Sequence, residues 1–226
     1  MSHYVYALLA EAPRGDAGAG LGAEPLRLVP IGGVLAVVGE MAAPPAVSPG
    51  TLQAHDAVVR RLAAAVDAIL PVRFGTVLDG DTALADAIAG RAPRLREALA
   101  LVAGREQMTL RVFGEAAAAL DPVSPVVNDL GPGARYLEDR RRRTRREAEV
   151  PELAPLRRRL DPLVRAEHSH RHDTPPLLAS VYHLIERGRA PAYLDAVAAG
   201  AAALAPTRAV ATGPWPPYAF APEELE

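Results

Sequence analysis

The chain has 226 residues, half of them apolar, which is enough to build a core in one large domain or two small ones. Its 25 basic residues are all arginine and face 27 acids, for a net charge of -2. That balance gives no overall pull toward nucleic acid, and the lack of lysine excludes a Schiff base or a phosphate-loop lysine. The lack of cysteine excludes disulfides, thiolate metal sites and cysteine nucleophiles.

The first ten residues carry no basic n-region, no long apolar stretch and no cleavage site, so they read as a strand rather than a signal peptide. No apolar run reaches the roughly 18 residues that would span a membrane, and a cytoplasmic location is expected. Tyr4–Leu9 is short, aromatic and β-branched, a first strand. The Gly- and Ala-rich stretch 12–24 reads as a flexible loop. Leu26–Pro30 and Val34–Val38 are two apolar runs around Gly32-Gly33, a hairpin signal. From Thr51 to Ala68 the residues Leu52, His55, Val59, Leu62, Val66 and Ile69 recur at steps of three and four and share one helix face. Ser48 or Thr51 is placed to cap that helix. Pro71–Thr76 reads as a strand, and Thr82–Ala103 as a helix broken near Gly90–Pro93.

Gln107–Phe113 alternates as a strand and opens a second unit. Glu115–Leu120 reads as a short helix, 121–133 as a Pro- and Gly-rich loop, and an Arg-rich helix is expected from Ala134. Its run of arginines from Arg140 to Arg146 could meet nucleic acid or an acidic surface, or be laced by Glu138, Asp139, Glu147 and Glu149 at helical spacing. Leu153, Leu156, Leu160 and Leu163 form an apolar stripe that Pro151, Pro155 and Pro162 break into short helices. Leu177–Ile185 is a strand, Pro191–Leu204 a helix, and Arg208–Thr212 a final strand. The second half thus reads strand, helix, possible strand, strand, helix, strand, a ferredoxin-like order in an α+β chain. The expected domains are residues 1–104, and residues 105–226 with an extended aromatic and Pro-rich tail.

Two segments stand out chemically. In Leu70–Thr76 (LPVRFGT), Arg73 sits among apolar neighbours, which calls for an ion pair, a solvated edge or a partner. In Gly213–Phe220 (GPWPPYAF), Pro214, Pro216 and Pro217 stiffen the backbone while Trp215, Tyr218 and Phe220 present large faces. Such a tail either clamps the core or docks a partner. A third cluster, His168, His170 and His172, would share one face of a strand and could there capture a transition metal. No fourth distant ligand accompanies it, and no metal site is assigned. Ser169 beside two histidines is not triad geometry, and Gly131-Pro132-Gly133 is not a phosphate loop.

Taken in order, Tyr4-Val5-Tyr6, His55 in the following helix, LPVRFGT, Gly131–Leu137 (GPGARYL) and GPWPPYAF resemble the gas vesicle protein F/L family over nearly the whole chain. The resemblance implies two α+β domains, the C-terminal one a modified ferredoxin-like fold with a long Arg-rich helix. It implies a minor structural or assembly protein of gas vesicles that meets the hydrophobic shell protein and other accessory proteins. It implies no catalytic residue, cofactor or lipid membrane. Arg73, Phe74, Trp215, Tyr218 and Phe220 are the partner-binding candidates, with a nucleic-acid-binding module on the Arg-rich helix as the alternative.

Overall fold

The computed structural model describes residues 2–41, 43–115 and 150–222. They fall into two compact units, one of residues 1–107 with 215–226 and one of residues 108–214. The expected short helix at 116–120, the loop that follows it and the Arg-rich helix from Ala134 lie outside the described residues.

The first unit is built on β1 (His3–Leu9), all seven residues of which are buried. Its position explains that burial. The sheet runs β2 (Leu26–Ile31), β3 (Val34–Glu40), β1, β4 (Ile69–Pro71), with β5 (Val77–Leu78) also paired to β1. β1 is antiparallel to β3, β4 and β5. A bulge between Val5 and Ala7 resets the alternation of β1. Ala7 and Leu9 thereby join Tyr4 and Tyr6 in one cluster with Val58, Val59 and Leu62 of α1 (Pro49–Ala65). The opposite face meets α2 (Gly80–Ala89) and α3 (Ala92–Val102), which bury Leu84, Ile88, Leu95 and Leu99. Each such apolar side chain contributes about 1.5–3 kcal/mol when fully buried.

Local chemistry starts these elements where expected. Ser48 Oγ accepts from the Thr51 N–H at 3.1 Å, and Thr51 Oγ1 accepts from the Ser48 N–H at 3.0 Å, a complete capping box before α1. The β2–β3 hairpin turns on Gly32 and Gly33, whose φ angles of +59° and +82° suit glycine at both central positions.

Two expectations are corrected here. The 12–24 stretch is not a loose loop, because side chains from elsewhere hold it. Arg61 Nη2 donates to the Ala17 carbonyl at 3.1 Å and the Ala19 carbonyl at 2.5 Å. Tyr6 donates its hydroxyl to Glu24 and accepts from the Leu21 N–H at 2.8 Å. A Cβ at Gly20 would come within 1.8 Å of Glu24 Oε1, so only glycine lets the loop close there. Nor is 71–76 a strand. β4 ends at Pro71, and residues 74–75 form a turn before β5.

Both edges of this sheet are blunted. The outward Leu26 N–H is taken by the Gly18 carbonyl at 3.0 Å, and Pro30, four residues on and pointing the same way, has no N–H. At the other edge β4 and β5 have three and two residues. Short or proline-bearing edges resist strand addition.

The second unit holds a sheet in the order β7 (Val164–Arg171), β8 (Leu177–Glu186), β6 (Arg105–Phe113), β9 (Arg208–Trp215). Met108, Leu110 and Val112 of β6 and Ala179, Val181 and Ile185 of β8 face one core. Against them pack Leu156 and Leu160 of α4 (Ala154–Leu160) and Tyr193 and Val197 of α5 (Ala190–Gly200). The prolines of the Leu153 stripe act as expected. They leave one turn of 3-10 helix, Pro151–Leu153, before the seven residues of α4.

The tail departs from the expected division. Residues 215–226 group with the first unit rather than the second. Gly213 and Pro214 continue β9, and the aromatic end closes in a 3-10 turn, Tyr218–Phe220.

Candidate functional site

The LPVRFGT turn is held by a buried hydroxyl. The Gly75 N–H donates to Tyr4 Oη at 3.1 Å. Tyr4 in turn lies 2.9 Å from His55 Nδ1, and since its oxygen already accepts from Gly75, its proton goes to that nitrogen. The Thr76 hydroxyl closes the turn on the Arg73 carbonyl at 2.9 Å. Phe74 points back into the same cluster, edge-on to His55 with ring centroids 5.7 Å apart. Tyr6 stacks on His55 from the other side at 5.6 Å. Phe74 therefore defines the fold of the turn, while Arg73 is exposed.

This environment sets the ionisation of the cluster. Burial pushes the His55 imidazole below its ordinary value, with the Val72 carbonyl and Asp56 acting weakly the other way. Its Nε2 has no hydrogen-bond partner among the described residues. Burial likewise pushes Tyr4 and Tyr6 upward, helped at Tyr6 by the Glu24 carboxylate it donates to.

The tail folds back on α1 within the same unit. Tyr218 donates to Asp56 Oδ1 at 3.0 Å, and burial followed by the charge of Asp56 raises its pKa. Arg60 donates to Asp56 Oδ2 at 2.5 Å and lies over the Trp215 ring at 4.4 Å. The Ala219 N–H donates to Gln107 Oε1 at 2.8 Å, and Phe220 is buried. Trp215 and Phe220 thus act as a clamp on the first unit. Asp56→Ala, which frees both Arg60 and Tyr218, is expected to cost about 1–2 kcal/mol. Because Trp215 is the only tryptophan, a red shift of its emission at matched protein concentration checks whether the tail lifts.

The two segments singled out in the sequence meet around one cavity of about 500 Å³. One wall is Leu70, Pro71, Val72, Arg73 and Thr76. The other is Tyr218, Ala221 and Pro222, with Leu8 and Leu95 behind. Of the five candidates, Arg73 and Tyr218 line this cavity, and Phe74, Trp215 and Phe220 do not. Sequence reading missed Leu8, Leu95 and Ala221, whose apolar character alone carries no signal for a cavity. It also missed Tyr4 and His55 as the pair that holds the turn.

A second polar network lies in the other unit. Glu167 on β7 faces His183 on β8 directly across the ladder. His183 Nε2 donates to Glu167 at 2.9 Å, which leaves Nδ1 to accept from the Tyr193 hydroxyl at 2.6 Å. Arg157 grips the same carboxylate with two contacts of 3.3 Å. The His183 bond first, and then Arg157, hold Glu167 below the usual carboxylate range against the opposing effect of burial. The space beside the network is about 20 Å³, room for one water and no substrate. Arg171 and Glu152 form a similar paired contact at 2.9 and 3.0 Å.

The histidine cluster does not assemble as a metal site. His168 and His170 lie on β7 opposite Tyr182 and Ser180. His172 lies beyond the strand and contacts Ser180 Oγ at 3.0 Å. No group of three metal-ligating side chains converges among the described residues. Among those residues, too, no helix is long and apolar enough to cross a membrane.

Among solved structures, the chain is similar to the gas vesicle protein GvpF of Anabaena sp. PCC7120, at 20% identity and a TM-score of 0.71, over 98% of this chain and 96% of that one. It is also similar to GvpF of Microcystis aeruginosa, at 19% identity and a TM-score of 0.72, over 98% of this chain and 99% of that one. These likenesses show the fold: mixed helix and sheet with antiparallel pairing. No curated protein matches the chain. The family described as gas vesicle synthesis protein GvpL/GvpF matches residues 2–222, and the chain belongs to that family.

Proposed function

We propose that this protein serves gas vesicle formation in the cytoplasm, as a minor structural or assembly component rather than an enzyme. Its partners on this reading are the hydrophobic shell protein of the vesicle and other accessory proteins. The observation that carries it is the family match over residues 2–222, which takes in both segments that wall the cavity. Physical chemistry supports the role. A wall that is apolar on its gas face needs subunits that expose apolar surface before assembly, and such surface aggregates unless covered. The strand order β7-β8-β6-β9, with α4 and α5 on one core, supports reading residues 108–214 as a modified ferredoxin-like domain.

The test is capture of the solubilised shell subunit by the purified chain, together with immunodetection of the chain in vesicle fractions. Recovery of the subunit and presence in the fraction is the expected result. Absence from both would end this reading.

A further inference from the structure

We propose that Tyr4 and His55 form a proton-operated catch on the LPVRFGT turn. When His55 takes up a proton, Tyr4 releases Gly75, and the tip of the turn, residues 73–75, swings while the rest of the first unit stays folded.

The catch follows from what one phenol oxygen can do. Tyr4 Oη sits between a donor and an acceptor. It accepts from the Gly75 N–H at 3.1 Å and gives its proton to His55 Nδ1 at 2.9 Å. With His55 neutral, both contacts are met. Once Nδ1 carries a proton, Tyr4 is flanked by two N–H donors, and neither can take its own proton. A donor left unmet in a buried site is costly. The contact with His55 is buried and that with Gly75 only part-buried, so Gly75 is the one that gives way. Its N–H then turns to water, and water reaches the hydroxyl.

Geometry confines the movement to the tip. The Val72 N–H donates to the Tyr6 carbonyl at 2.9 Å, and the Val5 N–H donates to the Thr76 carbonyl at 3.0 Å. These two main-chain bonds pin both ends of the turn to β1. Gly75, at a φ of +89°, supplies conformational freedom between them. Phe74 packs edge-on against His55 at 5.7 Å, so the ring that takes the proton also touches a residue that moves. Arg73 lines the cavity, so the swing reshapes that wall.

The groups around the imidazole set where it titrates. Burial is the largest influence and holds His55 below its ordinary value, while the Val72 carbonyl and then Asp56 act the other way. Asp56 is itself shared by Arg60 and by Tyr218 of the tail. From β1 the facing groups are Tyr4 and Tyr6, both raised and so uncharged at neutral pH, and Tyr6 leads on to the Glu24 carboxylate. A released turn lets water in and returns His55 toward its ordinary value of about 6.5. The open turn therefore holds the proton more tightly than the closed one, and release becomes easier as pH falls below that value.

Hydrogen exchange of the isotope-labelled full chain tests this, each rate being divided by that of an unstructured peptide at the same pH. Protection of the Gly75 amide is expected to fall about tenfold between about pH 7.5 and 5.5, the factor that one proton with an ordinary value of about 6.5 yields. In low urea that amide should exchange at a rate independent of urea, since a moving tip exposes little surface. The Val5 and Leu8 amides of β1 should instead depend steeply on urea. Tyr4→Phe, which keeps the ring and removes the catch, should lower Gly75 protection already at about pH 7.5 and erase its pH dependence. Gly75 protection that stays constant over this pH range in the parent would overturn the catch. So would a Gly75 amide that follows Leu8 in its urea dependence, because the turn would then open only with the whole unit. Both of these outcomes are read on the parent alone, so they stand even where the variant fails to fold.

Discussion

Tyr193→Ala is expected to lower the stability of the second unit by about 4 kcal/mol, the largest single loss foreseen here. The ring is fully buried between α4, α5 and the sheet, so truncation opens a void that the surrounding leucines fill only in part. The same change strips His183 Nδ1 of its donor. Tyr193→Phe separates the two effects. It keeps the ring, orphans only the histidine nitrogen, and should cost about 1–2 kcal/mol. Urea unfolding followed by far-UV circular dichroism reads both variants. Equal losses for the two variants would show that the ring is not a packing element.

The second large effect is expected from Tyr4→Phe, at about 2–3 kcal/mol in the first unit. One hydroxyl satisfies both the Gly75 N–H and His55 Nδ1, so its removal leaves a part-buried donor and a buried acceptor unmet. Thermal unfolding followed by Trp215 emission measures it. Acid should act through the same contact. His55 is held below its ordinary value of about 6.5 by burial, so the unfolded chain takes up a proton more readily than the folded one. Its contribution to stability is complete above about pH 6.5 and is lost as pH falls toward the lower folded value. With Nδ1 accepting from Tyr4, the neutral ring carries its hydrogen on Nε2, so the added proton enters at Nδ1 and breaks the bond from the Tyr4 hydroxyl. A denaturation midpoint that falls between pH 7 and 5 in the parent, and falls less in His55→Gln, is the expected pattern. A parent curve that stays flat across that range would refute it.

Where neighbouring residues decide the structure, the sequence was readable. The three- and four-residue spacing through His55, Val59 and Leu62 marks α1, and Ser48 marks its start. The helix expected to run to Ala68 ends at Ala65, however, Leu52 is exposed rather than on the buried face, and Ile69 belongs to β4. Gly32-Gly33 marks the hairpin, and the break at Gly90 separates α2 from α3. Reading fails where the deciding partner is far along the chain. The turn after Pro71 depends on a tyrosine 71 residues before Gly75. Order in the 12–24 loop depends on Arg61, 42 residues from Ala19. The tail's place depends on Asp56, 162 residues from Tyr218. The candidate site was half legible for the same reason. LPVRFGT and GPWPPYAF stand out by composition, but their meeting around one cavity is a long-range fact. Spacing also cannot tell that Phe74 and Phe220 turn inward while Arg73 turns out.

The grouping of residues 215–226 with residues 1–107 bears on the order in which the protein comes into being. Translation runs from the N-terminus, and structure forms behind it as chain becomes available. Strand β1, helix α1 and the LPVRFGT turn are all synthesised before residue 108, so one wall of the cavity exists early. The facing wall, Tyr218, Ala221 and Pro222, is made only after the whole of the second unit. A chain still on the ribosome therefore offers half a cavity, and the lining is complete only once the second unit has been synthesised.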